Sequence, residues 1–536
     1  MTIRAGLAES VRATLSTLGV DTQDLDVQIE RPARPEHGAW STNVALVLAK
    51  RIGRNPRQLA EDLVRTLEAD PPPHVAAVTV AGPGFVNFEL HDSWLHDVLR
   101  QVVDQGTEGY ARHDLGHGEN VNVEFVSANP TGPLHVGGGR WAAYGDSLCR
   151  VLARCGYVPH REYYVNDRGN QMDLFLASMT ARREGQPLPE GGYPGEYVGE
   201  WAAEMPVDVD AAEWGYERVM AELRQSLDAI DVHFDTWFSE RSMVATGVID
   251  AALAELADRG VVYEADGATW LRTTDLGLAK DEVLVKSGGE PTYFLSDIAY
   301  HRDKLDRGFS RLIDVWGADH HGHVARLKAA MVALGHPPEA LEIILGQLVT
   351  VSRGGEEVRM GKRSGDFVEL AEVVDEVGPD VARLTFLLQS VDTRQTFDID
   401  AVVARSMDNP VYYVQYAHAR IASIGRVAAE RGLSRLPIGE VDLALLIHPR
   451  ELEVLRRLEQ LPDAVLDACL GRAPHRVATW VQALAGAFHG FYHDCYVMGE
   501  GVGPELTQAR LWLVEAVRVG LAIGLDLLGV RAPDSM

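Results

Sequence analysis

The twenty residues from Val121 to Arg140, VNVEFVSANPTGPLHVGGGR, combine types and spacings that could bind a nucleotide. Val121, Val123 and Phe125 alternate with Asn122 and Glu124, which predicts a strand. From Ser127 to Gly132 the composition changes to small, turn-forming residues that let a ligand approach the backbone closely. His135, Gly137, Gly138 and Gly139 then precede WAAYGDSLCRVLARCG, in which Trp141, Leu148, Leu152 and Cys155 can share one face of a helix. Free N–H groups at a helix start point at whatever lies before it, so strand, glycine turn and helix start make phosphate-binding geometry. REYYVND, from Arg161, would complete a strand-helix-strand unit of a doubly wound nucleotide-binding sheet. The spacing is neither GxGxxG nor GxxxxGK[ST], and on residue types alone the glycines read equally as structural punctuation.

Lysine is scarce, occurring only at 50, 280, 286, 304, 328 and 362, so Lys362 in EVRMGKRSGDF stands out. A compact ammonium suits a moving phosphate better than the planar fork of arginine, although a lysine in a Gly/Ser loop is usually just solvated. In LIDVWGADHHGH an apolar strand runs into Gly317, Asp319, His320, His321 and His323, the pattern of a strand end facing a crevice. Adjacent His320 and His321 would diverge on a strand, and His320 with His323 is not HExxH, so no metal site is expected. Tyr412, Tyr416 and Arg420, in NPVYYVQYAHAR, fall at i, i+4 and i+8, a helical face that could stack on unpaired bases or belong to the core.

A chain of 536 residues is long enough for about three or four domains. With 46% apolar and 24% charged residues it has an ordinary globular composition without repeats or low-complexity tracts. The net charge of −28 excludes general coating of nucleic acid but not a local basic stripe. Cys149, Cys155, Cys469 and Cys495 form no CxxC pair, so free thiols are expected. The N-terminus lacks a signal-peptide pattern and no apolar run is long enough to span a membrane, from which a cytoplasmic location is expected.

Residues 2 to 18 carry helical periodicity, Ser41 is placed as an N-cap, Pro56 lies near a second helix start, and VAAVTV and FVNFEL flank an AGPG turn as two strands. Arg51, Arg54 and Arg57 could meet phosphates, but the plainer reading is a solvated face. Val283 and Val285 suggest that the sheet resumes before Gly288-Gly289, and from about 396 the pattern is helical to the end.

SANPTGPLHVGG resembles the HIGH signature of class I aminoacyl-tRNA synthetases, and its lead-in is similar to the arginyl-tRNA synthetase version; MGKRSG resembles the KMSKS-type loop. The departures are Gly138 for the second histidine, Arg359 for the first lysine and Gly361 for serine. The resemblance implies an α/β, Rossmann-like catalytic domain at 113–172 and 281–395, interrupted by an insertion at 173–280. An N-terminal additional α/β domain at 1–112 would touch the tRNA elbow, and an all-α anticodon-binding domain would fill 396–536. The implied reaction is ATP-dependent ligation of L-arginine to tRNA(Arg) through an arginyl-adenylate, with Mg²⁺ on ATP and no tightly bound cofactor. His135 and Lys362 would be catalytic, and His135, Gly137, Gly138, Gly139, Lys362 and Arg363 would bind ATP. Glu124, Asn129, His135, Tyr293, Asp297, Asp319 and His320 would bind arginine, with Asp297 on the guanidinium. Tyr412, Tyr416 and Arg420 would bind tRNA. A Gly138 or Gly139 N–H is expected to replace the missing imidazole donor. A monomer is implied; the competing reading is a paralogue with a specialised or regulatory role.

Overall fold

The computed structural model describes residues 3–23, 25–32, 34, 37–358, 367–404 and 409–533. The chain divides into two compact units, one of residues 1–104, 434–459 and 491–516 and the other of 105–433, 460–490 and 517–536. The segment expected as one helical domain, 396–536, is therefore shared between them.

In the first unit Leu7, Val11 and Leu15 give the helix Ile3–Thr17 a buried face. An antiparallel sheet sets Phe85–Leu90 between Trp40–Thr42 and Val75–Ala81. Ser41 is a strand residue rather than a cap: it pairs with Asn87, and Asn43 takes the N-cap position of Val44–Ile52. The next helix, Pro56–Ala69, starts where Asn55 accepts the N–H groups of Arg57 and Gln58. Arg54 and Arg57 pair with Asp62 and Glu61.

The second unit is built on a five-stranded parallel sheet in the order Leu341–Gly346, Arg311–Gly317, Asn120–Glu124, Val158–Val165, Thr236–Ser239. From Asn120–Glu124 the chain proceeds to one side, and Arg311–Gly317 later adds on the other, so the strand order reverses between these two. A doubly wound sheet opens its ligand crevice at that switch, beyond the carboxyl ends of the strands. The helix Val136–Arg154 follows the central strand and is buried on nearly every face, not on the single face that its periodicity suggested. Its close approach needs small residues: a β-carbon at Gly145 would lie 2.1 Å from the Phe125 ring.

Two expectations about the sheet are corrected. Thr236–Ser239 comes from inside the supposed insertion, a four-residue strand too short for a period-2 signal. Glu282–Val285 does not rejoin the parallel sheet; it pairs in an antiparallel sheet with Ala268–Leu271, whose other neighbour is Val262–Ala265. Asp266 and Gly267 have φ of 53° and 75°, the turn that makes Val262–Leu271 a tight hairpin and keeps the pairing local. Gln395–Asp398 is also a strand, parallel to Val349–Arg353, so strand structure crosses the expected boundary at 396. Beyond it the second unit is helical, with the short helix Ile399–Val403 and then Pro410–Glu430, which Asn409 caps. Among the described residues no helix is long and apolar enough to cross a membrane.

Candidate functional site: a notch at the sheet switch

A cavity of about 670 Å³ opens at the carboxyl ends of Asn120–Glu124 and Arg311–Gly317, lined by Glu124, Asn129, His135, Asp297, His301, Trp316, His320 and His323 among others. Immediately after the central strand Val126 and Ser127 take φ of 70° and 42°. A β-branched residue there is strained, and the turn is held by bonds around it. Ser127 Oγ donates to Glu124 Oε1 at 2.9 Å and accepts Tyr164 N–H at 3.1 Å, while Tyr163 Oη donates to Ala128 O at 2.9 Å. The chain thus reverses around Glu124 and presents Asn129, whose Nδ2 donates to Gln171 Oε1 at 2.5 Å.

Below this turn lies a buried ionic floor. Lys304, wholly inaccessible, donates to Glu124 Oε2 at 2.6 Å and to Asp314 Oδ1 at 3.1 Å. His301 Nε2 is 2.6 Å from Asp314 Oδ2, and its Nδ1 is 2.7 Å from the backbone oxygen of Asp297. Burial raises the Glu124 pKa, and Lys304 pulls it back. Burial opposes charge on Lys304 and His301 as well, but Asp314 and Glu124 outweigh it and raise both. Asp314 falls to about 2, the two cations outweighing its desolvation. Asp297 stands at the wall, its Oδ2 held 2.8 Å from His323 Nε2.

The opposite wall is made by backbone. His135 caps Val136–Arg154 and its Nδ1 accepts the Gly138 N–H at 3.2 Å, which leaves the proton of a neutral ring on Nε2. The ring is open to solvent through the notch yet walled by protein, and this desolvation lowers its pKa. Gly138 N–H also reaches His135 O at 2.9 Å, and Gly139 N–H the same oxygen at 3.4 Å. Neither is a free donor, so the expected substitute for the missing imidazole is already spent on the cap. Gly137, Gly138 and Gly139 are buried and serve packing: β-carbons at 138 and 139 would come within 2.4 Å of Leu134 and Leu370.

Lys362 and Arg363, with Arg359 and Gly361, lie outside the described residues. The segments on either side are anchored. Glu356–Val358 pairs with Val349–Arg353. On the far side Phe367 meets the His135 ring edge-on at 6.1 Å, Val136 N–H donates to Val368 O, and Leu370 N–H to Leu134 O.

The other expected site residues divide. Asp297 and Tyr293 sit one turn apart on the helix Tyr293–Asp306, as their spacing predicted. Tyr293, 74% exposed, nevertheless lines an adjoining hollow of about 1080 Å³ with Arg168, Trp270, Lys280 and Lys286, not the notch. His320 lines the notch; the Asp319 side chain is 80% exposed and is not in the lining. Tyr412 and Tyr416 stack at 5.6 Å and 11°, and Arg420 covers the Tyr416 ring at 4.4 Å, a half-exposed ladder on one helix face. No cluster of His, Cys, Asp and Glu among the described residues could hold a metal ion. His323, from the histidine run after Trp316, lines the notch as the crevice reading expected, whereas the sequence reading missed Lys304, Asp314, His301 and Gln171 as parts of the site. For Lys304 a signal existed: it is one of the few lysines, and it lies in a helix with a buried face.

Three stretches match known families: residues 5–90 the arginyl-tRNA synthetase N-terminal domain, 213–404 the class I (R) tRNA synthetase catalytic domain, and 414–536 the DALR anticodon-binding domain. The arginine–tRNA ligase of Moorella thermoacetica is 46% identical over 530 residues, covering 95% of this chain and 94% of that protein. The chain belongs to the arginyl-tRNA synthetases. The Frankia alni arginine–tRNA ligase is likewise 46% identical, over 555 residues, covering 99% of this chain and all of that one. The solved Thermus thermophilus arginyl-tRNA synthetase superposes over both full lengths with a TM-score of 0.77 at 22% identity, a likeness of fold. A class I catalytic domain with an N-terminal domain and a helical C-terminal domain is therefore the architecture of this arginyl-tRNA synthetase family member. The match at 213–404 takes in Thr236–Ser239, in keeping with that strand's place in the parallel sheet.

Proposed function

We propose that the notch is where this chain performs the reaction of its family, joining L-arginine to tRNA(Arg) with ATP through an arginyl-adenylate, and that Glu124 and Asp297 read the guanidinium there. The carrying observation is the pair of carboxylates from two distant segments facing one cavity at the sheet switch, each already fixed by a cation or an imidazole. A guanidinium meets such groups with several directed N–H donors, whereas a shorter ammonium leaves a buried acceptor unpaired.

Asn129 and His135 line the same cavity and are assigned to the amino-acid end of the substrate. Its carboxylate attacks the α-phosphate of ATP, which enters as its Mg²⁺ complex, and pyrophosphate leaves. The 3′-terminal adenosine of tRNA then takes the arginyl group and AMP departs. No protein nucleophile is needed: the chain orients reactants and stabilises phosphate charge. The His135 Nε2–H supplies one donor, and Lys362 with Arg363 supplies the cations from the segment that returns at Phe367. The buried glycines bring the helix start close, and the Gly138 and Gly139 N–H groups bond to His135 O. His320 remains a wall of the site, whereas Tyr293 and Asp319 are left out of the arginine contact in this arrangement.

Residues 1–112 are assigned to the tRNA elbow and the Tyr412, Tyr416 and Arg420 ladder to unpaired bases. A monomeric, cytoplasmic enzyme without a tightly bound cofactor completes the reading. Arginine-dependent pyrophosphate exchange, with and without tRNA, tests it. Glu124→Gln and Asp297→Asn should each lower kcat/KM for arginine about a thousandfold, the scale expected for an unpaired buried guanidinium or its partner. Wild-type values in both variants would sink the assignment.

A further inference from the structure

We infer that Lys304, Asp314 and His301 form a buried brace that holds Glu124 and Asp297 at a fixed spacing and charge, which makes His301 a positioning residue for arginine selection. This rests on the proposed reading that those two carboxylates take the guanidinium.

The bonds run without a gap. His323 holds the Asp297 carboxylate, and His301 bonds the Asp297 backbone oxygen and Asp314. Asp314 and Glu124 share Lys304, and Glu124 accepts from Ser127. Four chain segments are joined, and the two carboxylates stand at opposite ends of the brace. Lys304 and His301 are 0% and 3% exposed, too little for solvent to replace a lost partner in full. Removing one partner from such a set leaves a charge unmatched in a medium where that is expensive.

The charges also close. Both nitrogens of His301 lie within 2.7 Å of acceptors, a carboxylate oxygen and a carbonyl oxygen. A neutral ring would turn a lone pair on one of them, so the geometry requires the imidazolium. The groups facing it are Asp314 and Glu124 from the strands, and Lys304, Tyr300 and the backbone oxygen of Asp297 from its own helix. Glu124 and Asp314 are matched by Lys304 and the imidazolium. Asp297 is held at its carboxylate by His323 and not by Lys304, and its side chain lines the cavity where a guanidinium can add to it. A rigid floor of this kind is preorganised for a single delocalised cation.

The sign of the pH effect follows. Below its raised pKa His301 is charged and the brace is whole; as pH rises through that value a proton is lost, Asp297 loses a donor on its backbone, and arginine binding weakens.

Full-length enzyme with tRNA and His301→Gln, assayed by pyrophosphate exchange, tests the brace. Gln can still donate to Asp314 but carries no charge and cannot reach both acceptors. The KM for arginine should rise about tenfold, the size of one lost hydrogen bond between charged groups, with the KM for ATP within about twofold and kcat within about threefold. Wild-type enzyme should show an arginine KM that climbs as pH is raised above neutral, and His301→Gln should lack that limb. An arginine KM within about twofold of wild type, or an unaltered pH limb, overturns the inference, as does a parallel loss across arginine, ATP and kcat. If the variant does not fold, a wild-type arginine KM that is flat over the alkaline range overturns it by itself. Glu124→Gln and Asp297→Asn in the same assay separate the two failures: unchanged arginine KM in both means that the carboxylate reading is wrong, and altered KM in both with none in His301→Gln means that only the brace is.

Discussion

His135 and His301 line the same cavity, and the protein shifts their pKa values in opposite directions. His301 lies in a floor made of side chains, where carboxylates surround it and a second proton is needed to satisfy two acceptors. His135 heads a helix, where the Gly138 N–H needs a lone pair and desolvation disfavours charge. The arginine side is thus an electrostatic construction, and the nucleotide side is a backbone construction in which small residues permit close packing. One imidazole chemistry serves both because its neighbours, not its type, decide its charge.

The largest test of that contrast is Lys304→Met, which leaves Glu124 and Asp314 facing each other without their shared cation. A loss of about 3–5 kcal/mol of stability is expected, read from urea denaturation. A loss under about 1 kcal/mol would show that the floor is not held by its charges.

On the other side Gly138→Ala sharpens the comparison. Its β-carbon would lie 2.4 Å from a Leu134 methyl, and accommodating it should cost about 1–3 kcal/mol. The readout is thermal stability together with ATP-dependent exchange. An unchanged KM for ATP with unchanged stability would mean that Leu134 yields freely and that the wall is not close-packed.

The smallest effect is the most diagnostic. The folded pKa of His301 is raised, so its contribution to stability is present below the unfolded value near 6.5 and lost as pH rises through the folded one. The folded pKa of His135 is lowered, so its contribution is present above 6.5 and lost as pH falls. The Tm gap between wild type and His301→Gln should therefore shrink toward alkaline pH, and the gap to His135→Asn should shrink toward acid. Gaps that change in the same direction would remove the contrast.

The legible parts of the site share a property. Glu124, Asn129 and His135 fall within twelve residues, and Tyr412, Tyr416 and Arg420 on one helix face, so local spacing was enough to group them. Tyr293 shows the limit of such grouping: its i, i+4 relation to Asp297 held, yet the two side chains serve different hollows because the wall between them is set by other elements. The hairpin Val262–Leu271 had a local signal, Asp266-Gly267, but its diversion of Glu282–Val285 away from the parallel sheet did not follow from any one segment. Lys304 lies 180 residues from Glu124, and nothing in HRDK says that its ammonium is buried.

By itself the sequence determined the local geometry of this protein: the strand, turn and capped helix around His135, the Tyr/Arg face of Pro410–Glu430, and the strings that mark an arginyl-tRNA synthetase. Those depend on backbone preferences and periodicity, which act over a few residues. Only the tertiary structure decided which strands share the sheet, which glycine N–H groups are already spent, and that two carboxylates are tied through Lys304, Asp314 and His301. Burial and ion pairing are properties of juxtaposition, and the chain creates them only when segments far apart in sequence close on one another.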